Sequence, residues 1–522
     1  MTDLRQLHFR FRTDAGTADA SPTWGADEDV NYYPGTANFR LRIGLRNAST
    51  VVAATPWELY VSRNGDAYTP VTTTIAKGVQ SVDAGSSADD TAVLIPRLYP
   101  FSPDWELSDA AIDLDFAGSR IYGATAFTDV LSISRASTGY VTNADGTLTS
   151  FGTNTLRIGN GAGLLIEDAR TNVAIHSQDM AGNWSTIQCT ATNNQAVAPD
   201  GTTTMCLMQE NTLNDQHLLR TFAGYLSAIT AGATVTFSVF VKDIDRRFVG
   251  IYYQSFSTRK GGYCVADLQT GTITASGALS TGGTFVSASI ETFANGIYRI
   301  SVTAAGDAAE TDPLINISTL ASGTPGNAID TGGWVYTGTS KQIYVWGAQL
   351  EVGSFLSSYI PTTTVAVTRA ADAVTCVGNL NTLLAATEFS AIVNAPIIGT
   401  RPGNPVLIGW EGNSARLRYG SALNDFDLNN SDSSHPITAA MGGGGTWATA
   451  EAKVGIAVKD STPSKAIVAN NGTVVSDAFT LAQTGSVSLG SWGTTQYPYN
   501  YFERLTVWNS KLADATLKAL TA

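Results

Sequence analysis

Charge is the first thing this chain lacks. Asp, Glu, Lys and Arg make up only 14% of its 522 residues, well under the roughly 25% of an average soluble domain. The charge present is mostly negative: 44 acidic residues against 31 basic ones leave a net −13. No extended basic block occurs. A phosphate backbone or an anionic membrane surface would be repelled rather than held, which excludes nucleic-acid partners and membrane attraction. Cysteine is as scarce. Cys189, Cys206, Cys264 and Cys376 stand far apart, with no C-x-x-C pair, so a zinc site is excluded. Free thiols are expected, because a chain this long needs no staples. The four histidines, His8, His176, His217 and His435, are isolated and read as surface or satisfied core residues. No apolar run approaches the ~20 residues of a membrane span. The opening "MTDLRQLHFRFRTDAG" has no apolar signal core, which predicts synthesis in a cytoplasm. Serine-hydrolase, zinc-protease and phosphate-loop motifs are also missing.

Glycine, serine and threonine are plentiful instead, with 50 glycines and 43% apolar residues. That mixture suits short strands and many turns, an all-β chain of several domains. No fixed repeat of ~20–50 residues suggests a β-helix or propeller. Residues 1–104 read as an N-terminal β-sandwich. "NFRLRIGLRN" alternates apolar and charged residues, and "WELYVSRNGDAYTPV" places Asn64-Gly65 between two strands as a hairpin turn. Residues 105–162 are looser and read as a linker or leader packed on the next domain, with a turn at Asn143-Ala144-Asp145-Gly146. Residues 163–368 alternate again, in "ATVTFSVFVKDI", "RFVGIYYQSF" and "KQIYVWGAQLE", with no helices between strands, as in a jelly roll. Residues 369–522 form a third β unit, whose "NLNTLLAATEF" and "KLADATLKALTA" are the only convincing helices.

Several stretches occur in a telling order: "FTDVLSISRASTGYVTNADGTLTS", "GAGLLIEDARTNVAIHSQDM", "APDGTTT" and "IYVWGAQLEVGSFLSSYIPTTTVAVTRAAD". Together, over roughly residues 110–372, they resemble a module of tailed-bacteriophage structural proteins, a jelly roll similar to carbohydrate-binding modules. "KAIVANNGTVV" and "YFERLTVWNSKLADATLKAL" resemble a concanavalin A-like, or laminin-G-like, lectin domain. Ala513 stands where such a closing helix often has a Ser or Asp cap. More weakly, the first unit is similar to small β domains that precede phage receptor-binding modules. The resemblance implies a virion structural protein, a tail fibre or head fibre that assembles as a homo-oligomer. It would be held to other virion proteins by its N-terminal domain and would adhere to host surface polysaccharide without catalysis. Its location would be the particle surface. A decoration protein with no ligand and a capsule depolymerase are the rival readings.

Glycosidase chemistry needs two carboxylates across the scissile bond, and the E-x-D-x-x-E string that lectin-like hydrolases use is absent. "WGAQLE" could supply an acid, Glu351, beside Trp346, or it could be the closing strand of the jelly roll. The resemblance takes the second view, with Glu351 and Glu167 paired to Arg170 or Arg369. Sugar binding alone needs aromatic faces and a few amides or carboxylates. Candidates are Tyr252, Tyr253 and Tyr263 in the jelly roll, and Trp410, Trp447, Trp492, Tyr497, Tyr499, Asn430 and Asp432 in the lectin-like unit. No cofactor is required. Asp425 and Asp427 in "NDFDLNNSDSS" could ligate calcium or simply line a polar turn, and the same holds for Asp27, Glu28 and Asp29 in "ADEDV".

Overall fold

The computed structural model describes four N-terminal strands and residues 110–521, apart from 223–224, 227–228, 257, 280–281, 309–312, 326–333, 396–404, 412–414, 421–424, 430–436, 441–452, 461–463, 478–484 and 492–499. The chain divides into two compact units, Met1–Ser102 and Pro103–Ala522. In the first, Leu4–Thr13 pairs antiparallel with Phe39–Asn47. Tyr60 and Val61 face Pro70 and Thr69, a pairing that closes around Asn64-Gly65. The further strands expected for a sandwich fall outside the described residues, as do Asp27, Glu28 and Asp29.

The second unit is antiparallel β throughout, with short helices at Gly378–Leu384 and Asp514–Leu520. It contains two sandwiches. One is built from two six-stranded sheets. The first runs Ser185–Ile187, Leu218–Arg220, Pro313–Leu320, Phe248–Ser255, Gly261–Asp267, Thr272–Ala278. The second runs Cys189–Ala196, Met205–Glu210, Gln342–Val352, Thr234–Asp243, Ile297–Ala305, Thr284–Phe293. Period-two alternation turns Leu219, Val249, Ile251, Cys264, Ile315 and Ile317 of one sheet onto Phe237, Val239, Val302, Val345 and Leu350 of the other. Each such side chain contributes about 1.5–3 kcal/mol by leaving water.

The other sandwich has two seven-stranded sheets, and here the expected boundaries need correction. Residues 105–162 are only in part a leader lying on the jelly roll: the hairpin of Gly139–Thr142 and Leu148–Phe151 packs Tyr140 and Leu148 against Phe240, Trp346 and Tyr359, but the rest belongs to the other sandwich. Ile112–Asp115 pairs with the closing strand Arg504–Trp508, and Leu131–Ser134 pairs with Ala373–Cys376. Gly163–Ile166, expected to open the jelly roll, pairs with Asn500–Phe502. Ile112, Leu114, Leu131, Leu164 and Ile166 share a core with Val374, Leu417, Ile456 and Leu505. The C-terminal sandwich is therefore made from both ends of this unit, and the jelly roll is an insert within it. The insert enters and leaves through Arg170–Asn172 and Val367–Arg369, which pair with each other. The turn at Asn143 closes as expected, Gly146 N–H donating to the Asn143 carbonyl at 2.9 Å. All four cysteines are free thiols.

Candidate functional site

The positions singled out in the sequence divide three ways. Asn430, Asp432, Trp447, Trp492, Tyr497 and Tyr499 lie outside the described residues. Trp410 and Tyr253 are core residues. Trp410 is fully buried and its indole N–H donates to the Leu384 carbonyl at 2.7 Å, while Tyr253 faces the inter-sheet core of the jelly roll. Neither presents a face to a ligand. Asp427 is nearly buried, ion-pairs with Arg418 at 3.4 Å and accepts from the Thr438 hydroxyl at 2.7 Å. Asp425 is half-buried one pleat away. No group of three or more His, Cys, Asp or Glu side chains converges among the described residues. His217 packs its ring 4.7 Å from Tyr336 and shares Nε2 with the Asn211 side-chain oxygen at 3.1 Å.

Tyr252 and Tyr263, in contrast, are brought together on the outer face of the first jelly-roll sheet. Register places Arg220, Asn316, Tyr252 and Tyr263 in one row across four adjacent strands, where direct neighbours lie about 5 Å apart. Gln254 stands two residues along from Tyr252, on the same side of the pleat. In the other direction the row is followed by Gly250. A Cβ there would come within 2.1 Å of the Trp334 ring, so the missing side chain is what lets the indole lie against the sheet. Trp334 meets Tyr252 edge-on at 5.4 Å and Tyr263 at 5.8 Å. Leu218, Val265 and Leu320 complete the cluster.

The polar atoms of this face are unusual. The Tyr252 hydroxyl, the Gln254 Oε1, both side-chain amide atoms of Asn316 and the Trp334 N–H are buried without a hydrogen-bond partner among the described residues. Tyr252, Gln254 and Asn316 are each 1% exposed or less. An unpaired buried polar group costs about 1–3 kcal/mol, so such groups are few in folded proteins and each calls for an explanation. Burial pushes the Tyr252 phenol up, and the nearby Arg220 and Arg259 guanidinium groups oppose that rise. The arrangement can offer a hydroxyl, a carboxamide donor and acceptor, and an aromatic wall to a polyhydroxylated ligand.

Buried ions elsewhere are structural. Where the insert joins its host, Arg135 donates to Asp372 at 2.8 Å, Arg157 binds both Asp372 and, at 2.7 Å, Glu167, and Arg369 lies 3.4 Å from Glu167. Burial would raise the Glu167 carboxyl, but Arg369, Arg157 and two hydrogen bonds from Ser358 bring it down to about 2. The expected pairing of Glu167 with Arg369 is thus present. Glu351 has a different role. It accepts the backbone N–H and hydroxyl of Ser357 at 2.8 and 2.6 Å, and burial raises its pKa. A raised carboxyl is what a general acid needs, but Glu351 is fully buried beneath the 353–362 segment and touches no surface. Gly347, with φ +64°, forms a bulge that puts Val345 and Ala348 on the core side. The bulge leaves Trp346 outward, against Phe240 and Tyr359, with its N–H on Thr204 at 2.9 Å. "WGAQLE" is thus the bulged central strand of a sheet, covered by its own return segment.

Trp334, Asn316, Gln254 and Arg220 were missed in the sequence. One signal was present: Gly250 inside the strand "RFVGIYYQS" marks close approach of another group.

The fold defines an antiparallel β-sandwich protein whose central sandwich is inserted in a second one. No family model matches the chain, and no curated protein does. Among solved structures it is similar to the carbohydrate-binding module CBM40 of the Ruminococcus gnavus IT-sialidase, at 18% identity and a TM-score of 0.23, over 27% of this chain and 87% of that one. It is also similar to the Trypanosoma rangeli sialidase in complex with sialic acid, at 11% identity and 0.22 over 65% and 62%. A third likeness is to domains LG4-5 of the mouse laminin alpha1 chain, at 8% and 0.18 over 56% and 84%.

Proposed function

We propose that this chain is a non-catalytic glycan-binding structural protein of a tailed-phage particle, with the outer face of the jelly-roll sheet as its sugar site. The observation that carries the binding reading is the row of buried, unpartnered polar atoms on Tyr252, Asn316 and Gln254 beside Trp334 and Tyr263. Sugar hydroxyls supply both donors and acceptors, and the C–H face of a pyranose suits an aromatic wall. The phage setting rests on the sequence motifs quoted above. In that setting the N-terminal unit attaches to other virion proteins, the chain acts as a homo-oligomer, and repeated weak contacts add up to useful avidity. The absence of catalysis is supported by the commitments of Glu167, Glu351 and Asp372 to arginines and serines.

The test is retention of the purified chain on intact host cells and on their extracted surface polysaccharide, with reducing ends followed in the same tube. Saturable retention without release, lost in Asn316→Ala, is the expected result. Release of oligosaccharide would replace this reading with an enzyme. A ligandless decoration protein has in its favour the burial of three candidate aromatic residues, Trp410, Tyr252 and Tyr253. It predicts no retention at all.

A further inference from the structure

The charges around this face point to the kind of sugar. The chain as a whole is strongly acidic, at −13, and three basic groups of the insert are matched by carboxylates. Arg246 is bound to Glu210, Arg247 to Asp267 at 2.6 Å, and Lys260 to Asp307 at 3.0 Å. Arg220 and Arg259 have no carboxylate within ion-pair distance among the described residues, as is also true of Lys242, Lys341 and Arg299, whose guanidinium donates to the Ser357 carbonyl and the Ser238 hydroxyl, but Arg220 and Arg259 are the two that act on Tyr252. Both border the site. Arg220 ends the cross-strand row beside Asn316. Arg259 lies in the hairpin that follows Gln254, its guanidinium 5.8 Å from the Phe256 ring. Both charges act on the Tyr252 hydroxyl against the effect of burial. A half-buried guanidinium with no anion next to unpaired amide and hydroxyl groups is a receptor for a planar, two-oxygen anion.

We propose, resting on the glycan-binding reading, that the ligand is an acidic sugar whose carboxylate is held by Arg220, with Asn316 and Tyr252 taking its neighbouring hydroxyl or amide groups. Arg259 adds a second positive charge at the Gln254 end. Neutral glycans satisfy the amides but leave Arg220 unmatched.

Two sources of that chemistry are separable: a sialic-acid-terminated trisaccharide and a galacturonate oligomer. Each would be titrated against the full-length chain by calorimetry, both as the free acid and as its methyl ester, with a neutral hexose oligomer alongside. The expected result is that at least one acid binds roughly tenfold or more tighter than its ester, the usual worth of one charge-assisted hydrogen bond. Arg220→Ala should bring the acid down to the level of the ester and leave the ester unchanged, whereas Asn316→Ala should weaken both. Which acid binds identifies the source. Equal affinity for acid and ester would overturn the acidic-sugar inference while leaving glycan binding intact. Failure of every acid, ester and neutral sugar to bind would overturn the glycan reading itself.

Discussion

Replacing Tyr252 by Phe deletes one oxygen and nothing else, and the structure makes an unusual forecast for it. The hydroxyl is fully buried and has no hydrogen-bond partner among the described residues, so in the free protein it is expected to have lost its water without gaining a hydrogen bond. That loss costs about 1–3 kcal/mol. The ring stays, and with it the edge-on contact with Trp334 at 5.4 Å. Removing the oxygen leaves a gap smaller than a methyl group, which takes back part of the gain. The net expectation is a variant about 1 kcal/mol more stable than the parent, a rise of roughly 2–4 °C in a domain of ~150–250 residues. Thermal unfolding of both proteins without ligand measures it. With a bound sugar the order should reverse, because the tighter binder gains more stability, as the logarithm of one plus ligand concentration over Kd. A fall of more than ~2 °C in the ligand-free variant would show that the hydroxyl has a native partner. The inference from unpaired atoms to a binding face would then fail.

Other consequences are equally direct. Asp372→Asn removes the carboxylate shared by Arg135 and Arg157, leaving buried guanidinium charge uncompensated, and should cost about 3–5 kcal/mol in a urea titration. Glu167 has a folded pKa of about 2 against an ordinary 4.5. Its folded value is depressed, so the stability it contributes is complete above pH 4.5 and is lost as the pH falls from there toward 2. Urea midpoints followed through that window should decline in the parent and decline less steeply in Glu167→Gln. Gly250→Ala would place a methyl within 2.1 Å of the Trp334 ring. It should destabilise by about 1–3 kcal/mol through overpacking, measured by the same titration, and should weaken sugar binding by displacing the wall.

Much of the fold was legible because its determinants are local. Alternation in "RLRIGLRN" and "TVTFSVFVKD" is enough to make strands, and the two C-terminal helices announce themselves by composition. The domain boundaries were not legible, because they depend on pairing at long range. "IDLD" and "LSIS" are short strands between turns, and nothing in them says that their partners are Arg504–Trp508 and Ala373–Cys376, hundreds of residues later. The motifs that carry the family resemblance have a shared physical reason in the structure. Glu167, Asn172, Arg369 and Asp372 hold the two crossing strands where the insert meets its host. Gln349, Glu351, Ser357 and Ser358 bind the return segment to the sheet. They build the junction and do not face a ligand.

The site was hidden for a related reason. Sequence reading looked for sugar contacts chiefly among aromatic residues, which found Tyr252 and Tyr263, yet the polar group most in need of a partner, Asn316, lies in "PLINISTL", a strand buried along its whole length. In a two-faced strand an apolar run reports only that both faces are covered. Ile315 and Ile317 are covered by the opposite sheet, and Asn316 and Leu320 lie on the side of Trp334. A carboxamide placed among apolar neighbours is tolerated in a core only if it is satisfied, and here neither of its atoms has a partner among the described residues. Packing alone would favour Leu or Val at that position. An amide kept there at a cost to stability is best explained by a partner that arrives from outside the chain, which is why Asn316, rather than any of the exposed aromatic residues, is the position at which binding and folding should be seen to pull in opposite directions.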